Sequence, residues 1–117
     1  MILQDIVRAL REVTKAEAAA LINRDGAVVA ADQLPSVSHE TFSIMCAAIL
    51  GAGMTAMTEL RHRAPRRVLV ESEDAMLLIQ EVGRRHMVVL SLPPGTSLDK
   101  LDGVVRRFSE SVAQELP

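Results

Sequence analysis

The sequence predicts an α/β fold, an α/β/α sandwich. One five-stranded antiparallel sheet carries helices on both faces, in the element order α-β-β-α-β-β-β-α. Three observations carry this expectation. The first and last segments repeat apolar residues at helical spacing. After Pro65 come three short runs rich in Val, Leu and Ile, "RRVLVES", "AMLLIQEV" and "HMVVLSL", separated by turn residues. The second and third of these runs are almost continuously apolar, as in strands covered on both faces. A chain of 117 residues fits one domain, spanning 1–117, with a core of its own.

The elements follow in order. "MILQDIVRALREVTK" reads as an amphipathic helix with Leu3, Ile6, Val7, Leu10 and Val13 on one stripe. Gln4, Asp5, Arg8 and Arg11 are expected to face away from it. Asp25-Gly26 is a tight-turn signal, since glycine accepts a positive φ without strain. The apolar runs flanking it predict a hairpin over 17–23 and 27–32, although alanine is a poor strand former. Ser38 is expected to cap a long helix running to about His62, with Pro65 forbidding much continuation. The three strands then form a meander, with turns at Glu73-Asp74 and Gly83-Arg84. Thr96 or Ser97 is expected to cap a last helix, with Asp99 in its first turn. Its buried stripe is Leu98, Leu101, Val105, Phe108, Val112 and Leu116.

Composition narrows the functions. The net charge of -2 gives no strong pull toward nucleic acid or anionic lipid. Aromatics are 2% of the chain, Phe42 and Phe108, too few for base-stacking platforms or aromatic cages. Cys46 is the only cysteine, so no internal disulfide forms, and it reads as a small buried hydrophobe. The N-terminal segment lacks the basic start, apolar middle and cleavage site of a signal peptide. A cytoplasmic protein is expected.

The stretch "CAAILGAGMTAM", Cys46 to Met57, decides more. Gly51 and Gly53 make only G-x-G, and no lysine occurs between Lys15 and Lys100 to reach a phosphate. Thr41 to Thr58 is 18 residues without a charge, at the edge of a membrane-spanning length. Thr41, Ser43, Thr55 and Thr58 interrupt it, however, and the strands that follow need a water-soluble sheet. A helix in a folded domain is the remaining reading. On its wheel, Phe42, Met45, Ile49, Ala52, Ala56 and Leu60 form one stripe. Ala47, Leu50, Met54 and Met57 form a second, roughly 100–180° away. One sheet covers one stripe. Either the second belongs to one wide face sheltered by the chain itself, or a partner chain covers it. Gly51 and Gly53 favour the partner: each costs about 1 kcal/mol in a helix interior, a cost that close backbone approach can offset.

The strand "RRVLVES" points the same way. It opens the meander and is expected at the sheet edge, where unpaired backbone invites association. Arg66, Arg67 and Glu71 either guard that edge or flank a strand, Val68 to Val70, that pairs with itself about a two-fold axis. The candidate dimer interface is therefore Ala47, Leu50, Gly51, Gly53, Met54 and Met57 on the helix, with Val68, Leu69 and Val70 on the strand.

The arrangement resembles the roadblock (dynein light chain type) family. "ALINRDGAVVAA", "FSIMCAAILGAGMTAMTEL", "RVLVES", "AMLLIQEVG" and "MVVLSLPPGTSLDKL" carry the likeness in this order, over nearly the whole chain. The resemblance implies a profilin-like α/β/α sandwich. It implies a homodimer built through the central helix, here 41–60, and the following strand, here Arg66–Glu71. It also implies binding of small Ras-like GTPases, as activator, exchange-promoting scaffold or adaptor; eukaryotic members adapt motor complexes instead.

Catalytic patterns are not found. His39, His62 and His86 make no H-x-x-x-H or H-E-x-x-H pair, and a single cysteine cannot build a zinc knuckle. No G-x-S-x-G elbow anchors a catalytic serine. Glu71, Glu73 and Asp74 read as a solvated turn, and Arg84, Arg85 and His86 as a basic hairpin tip. Arg61, Arg63, Arg66 and Arg67 cluster beside the helix end, and Arg61 and Arg63 are the candidate partner-binding residues. The expectation is a non-enzymatic protein with no cofactor and no metal. Its partners are itself and a small Ras-like GTPase, not nucleic acid or membrane. The alternatives are a small-molecule sensor with Met54 and Met57 lining a pocket, or an assembly adaptor without GTPase contact.

Overall fold

The computed structural model describes residues 2–34 and 39–116. The elements are α1 (Leu3–Thr14), β1 (Ala18–Asn23), β2 (Val28–Asp32), α2 (His39–Glu59), β3 (Arg67–Glu71), β4 (Met76–Val82), β5 (His86–Leu92) and α3 (Leu98–Glu115). The order is the predicted one. All neighbouring strands are antiparallel, in the sheet order β2-β1-β5-β4-β3. β5 is central, which explains its unbroken apolar run: Met87 to Leu90 are buried without alternation.

The two sheet faces hold separate cores. On one, Ile6, Val7 and Leu10 of α1 and Leu101, Val105, Phe108 and Val112 of α3 pack on Leu21, Leu78, Val88 and Leu90. On the other, Cys46 and Leu50 of α2 pack on Ala20, Ile22, Ile79, Met87 and Val89. The alanines of β1 have a packing role despite their poor strand propensity. Ala19 faces the first core and Ala20 the second, both fully buried, and their small side chains let a helix approach from each side.

Two expectations about α1 change. Val13 is 63% exposed rather than part of the stripe, because it sits at the mouth of a groove between α1 and α3. Gln4 and Arg11 do not simply face water. The Gln4 carboxamide donates to the Ala31 carbonyl and accepts from the Ala31 N–H, and Arg11 forms an ion pair with Asp32. The cause is β2, an edge strand beside α1 whose outward backbone groups need partners.

Helix ends also differ. α2 stops at Glu59, short of His62, because Arg61 adopts a left-handed φ of 61°. The Arg61 N–H donates to Thr58 O and the His62 N–H to Met57 O, a Schellman closure built without glycine. Lys15, at φ 60°, ends α1 the same way. The expected cap at Ser38 lies outside the described residues. Ser97 occupies the N-cap of α3 but makes no side-chain cap bond, and the Thr96 hydroxyl donates back to Pro93 O.

Candidate protein interface

α2 is uncharged from Thr41 to Thr58 but only partly sheltered. Its buried residues are Ser43, Cys46 and Leu50. Phe42, Ala47, Ile49 and Met54 are half-buried and pack against the same core. The outer side is open: Ile44 is 48% exposed and Met45 51%, and Ala48, Gly51, Ala52, Thr55 and Ala56 are exposed below them. Among the described residues α2 is the one helix long and apolar enough, by length and composition, to cross a bilayer. In this fold it lies along the sheet.

The predicted interface residues therefore separate. Leu50 is 1% exposed and belongs to the chain's own core, so the sequence reading placed it on the wrong side of the helix. Ala47, Met54 and Met57 are half-buried on the flank of that side. Gly53 also turns inward: a Cβ on it would stand 3.3 Å from Val68 Cγ2 and 3.7 Å from Pro65 Cγ, so its small size serves the approach of β3. Gly51 faces open space, with nothing within 4 Å of a Cβ. The open stripe instead uses Met45, Ala52 and Ala56, which belong to the other stripe on the helical wheel. Ser43 and Cys46 are small, so the helix approaches the sheet there. On a helix apolar all round, hydrophobicity does not distinguish that side from its opposite.

β3 continues the open surface. It is the sheet edge, as expected, and pairs with β4 alone. Val68 packs with the α2 core, Leu69 with the α1/α3 core, and Val70 is 44% exposed. The opposite edge, β2, is closed by Gln4 and by the Arg11–Asp32 pair, so the two edges are not equivalent. Sequence patterning missed that closure, since a Gln and an Arg on a helix carry no sign of which strand they meet.

Arg61 and Arg63 are exposed between α2 and β3, and neither joins an ion pair among the described residues. At the far end of the sheet the tips of the β1–β2 and β4–β5 hairpins meet, where the Arg24 N–H donates to Arg85 O at 3.0 Å. The Arg24 guanidinium reaches Glu81 Oε1 at 2.6 Å and Met54 Sδ at 3.6 Å.

Between α2 and the sheet, Cys46, Leu50, Ile79, Met87 and Val89 are all buried. Burial pushes the Cys46 thiol up to about 11, leaving it protonated and unreactive at neutral pH. Among the described residues no group of three or more His, Cys, Asp or Glu side chains converges where it could hold a metal.

The Roadblock/LC7 domain profile matches residues 2–91. No curated protein matches the chain. The chain is similar in structure to a Roadblock/LC7 domain from Streptomyces avermitilis, with TM-score 0.88 and 17% identity, covering 98% of each chain. It is similar to MglB of Myxococcus xanthus, with TM-score 0.85 and 15% identity, covering 97% of this chain and 96% of that one. The likeness extends to profilin of Schizosaccharomyces pombe, with TM-score 0.69 and 14% identity, covering 97% and 98%. At these identities the solved structures establish the fold. The sequence match over residues 2–91 establishes more: the chain belongs to the Roadblock/LC7 domain family.

Proposed function

We infer that this chain is a non-enzymatic, cytoplasmic regulator or scaffold for a small Ras-like GTPase, and that it works as a homodimer. The observation that carries the reading is the uncharged, exposed outer face of α2 lying next to the open β3 edge. Water-exposed Ile44, Met45 and Val70 make that surface costly to leave bare. A second copy covers it with the same surface turned through a two-fold axis. Membership of the roadblock family supports the GTPase as partner, and the unpaired Arg61 and Arg63 beside the dimer face are the residues proposed to meet it. Neither nucleic acid nor membrane enters this reading. The small-molecule-sensing alternative loses support because Met54, one of its two pocket residues, is packed beneath Arg24.

The test is GTP turnover and nucleotide release by a small Ras-like GTPase from the same organism, with the chain present and absent. Altered kinetics that weaken in an Arg61→Ala, Arg63→Ala double variant support the reading. No binding and no change in either rate would sink the GTPase part and leave the assembly-adaptor alternative. Sedimentation of the wild-type chain tests the homodimer separately.

A further inference from the structure

Two backbone bonds set the parity of β3. The Glu81 N–H donates to Arg66 O at 3.0 Å, and the Ser72 N–H donates to Ala75 O at 2.9 Å. Bonding direction alternates along an antiparallel ladder. Arg66, Val68, Val70 and Ser72 therefore turn their backbone groups toward β4, and Arg67, Leu69 and Glu71 turn theirs toward the open edge. These three outward residues read positive, apolar, negative. The arrangement is complementary to its own reverse.

A second β3 laid antiparallel with the two-fold axis through Leu69 satisfies the outward groups of all three residues. Leu69 meets the partner's Leu69, and Arg67 meets the partner's Glu71 twice, once on each side of the axis. Val68 meets the partner's Val70 on the α2 side. Other registers fail on named residues. A shift of one residue sets outward groups against inward ones. A shift of two in one direction places Pro65, which has no N–H, against the partner's Glu71. A shift of two in the other direction sets Arg67 against Glu73, which lies in the turn closed by Ser72. The side chains are ready for the first register. Arg67 is held on the α1/α3 side by Asp102 at 2.6 Å, and Glu71 is exposed with no ion-pair partner among the described residues. The other sheet edge is closed by Gln4.

We propose that Arg67 and Glu71 form a reciprocal charge code that fixes the β3–β3 register and selects a second copy of this chain over other strand edges. The inference rests on the homodimer reading above and specifies its contact. Directly opposed cross-strand charges attract when opposite and repel when alike. Reversing either charge alone therefore creates two like-charge pairs per dimer.

The experiment is analytical ultracentrifugation of the full chain as wild type, Arg67→Glu, Glu71→Arg, an equal mixture of the two single variants, and Asp102→Asn. Each single charge reversal is expected to weaken self-association by on the order of tenfold. The mixture restores it to near the wild-type level, because a copy carrying one variant opposes opposite charges on the other. Asp102→Asn removes only the intrachain partner of Arg67 and leaves association near wild type. Glu71 is exposed, so Glu71→Arg keeps the test valid if Arg67→Glu folds poorly. A wild-type chain that stays monomeric overturns the dimer reading and this one with it. A wild-type dimer whose single variants associate equally well, or whose mixture shows no recovery, overturns the charge code alone.

Discussion

Gly26 lies against the backbone of Ile44. At φ +96°, in the turn between β1 and β2, it is so close to α2 that a Cβ built on it would stand 2.9 Å from Ile44 Cα and 3.0 Å from Ile44 Cγ1. The turn thus positions the N-terminal part of the helix whose Ile44 and Met45 form the exposed apolar face.

Gly26→Ala is therefore expected to destabilise twice over. The left-handed backbone costs a residue with a Cβ about 1–2 kcal/mol, and here the clash is with helix backbone, not a flexible side chain tip. Urea denaturation should show a loss of about 2 kcal/mol or more. Gly83→Ala shares the positive φ but meets nothing within 4 Å, and it should lose about half as much. Equal losses at the two sites would mean that the Ile44 contact is unimportant.

Gly51 separates stability from association. A Cβ there meets nothing in the single chain, and alanine is about 1 kcal/mol better than glycine in a helix interior. Gly51→Ala should raise the thermal midpoint of dilute, dissociated protein. If two α2 helices approach closely at this point, the same change should weaken the dimer in sedimentation. A variant both more stable and equally associated would move the dimer contact elsewhere.

The buried Cys46 thiol sets an alkaline limit on stability. Its ordinary value of 9.0 is raised to about 11 by burial. Between these values the unfolded chain holds fewer protons than the folded one, so stability falls as pH rises. The contribution is intact below pH 9, and up to about 2 kcal/mol is lost by pH 11. Cys46→Ala should flatten the decline over that range in denaturation curves taken at stepped pH. Parallel curves for the two proteins would show that the thiol is not the cause.

At the β2 edge, the backbone of Ala31 is held by one side chain. Gln4 takes both backbone groups of Ala31, and Gln4→Ala should cost about 1–2 kcal/mol and speed hydrogen exchange at the Ala31 amide. An opened edge also favours non-specific sheet pairing, read as slow growth of large species at high concentration. Unchanged exchange at Ala31 would show that the clasp does not protect the edge.

Much of this architecture was legible in particular residues. Asp25-Gly26 announced the hairpin, and the observed strands start or end within a residue of the expected bounds. The apolar run from Met87 to Leu90 identified a strand covered on both faces, and it proved to be the central one. Arg66–Glu71 was placed at the edge, where β3 lies. The end of α2 was not legible, because Arg61 adopts a conformation usually left to glycine. Nor was the side of α2 that meets the sheet. Leu50 and Met45 are similarly greasy, and which of them is covered depends on where Ser43 and Cys46 settle.

The sequence by itself determined the element order, the strand boundaries and the excess of apolar circumference on 41–60. All three follow from local periodicity and turn chemistry, which adjacent residues express regardless of what lies across the fold. Tertiary structure alone decided that Leu50 and Gly53 belong inside, that Gln4 closes one sheet edge, and that Arg67, Leu69 and Glu71 turn their backbones to the other. Those outcomes depend on distances between segments far apart in the chain. The direction of a strand's free bonds is known only once its neighbour's register is known.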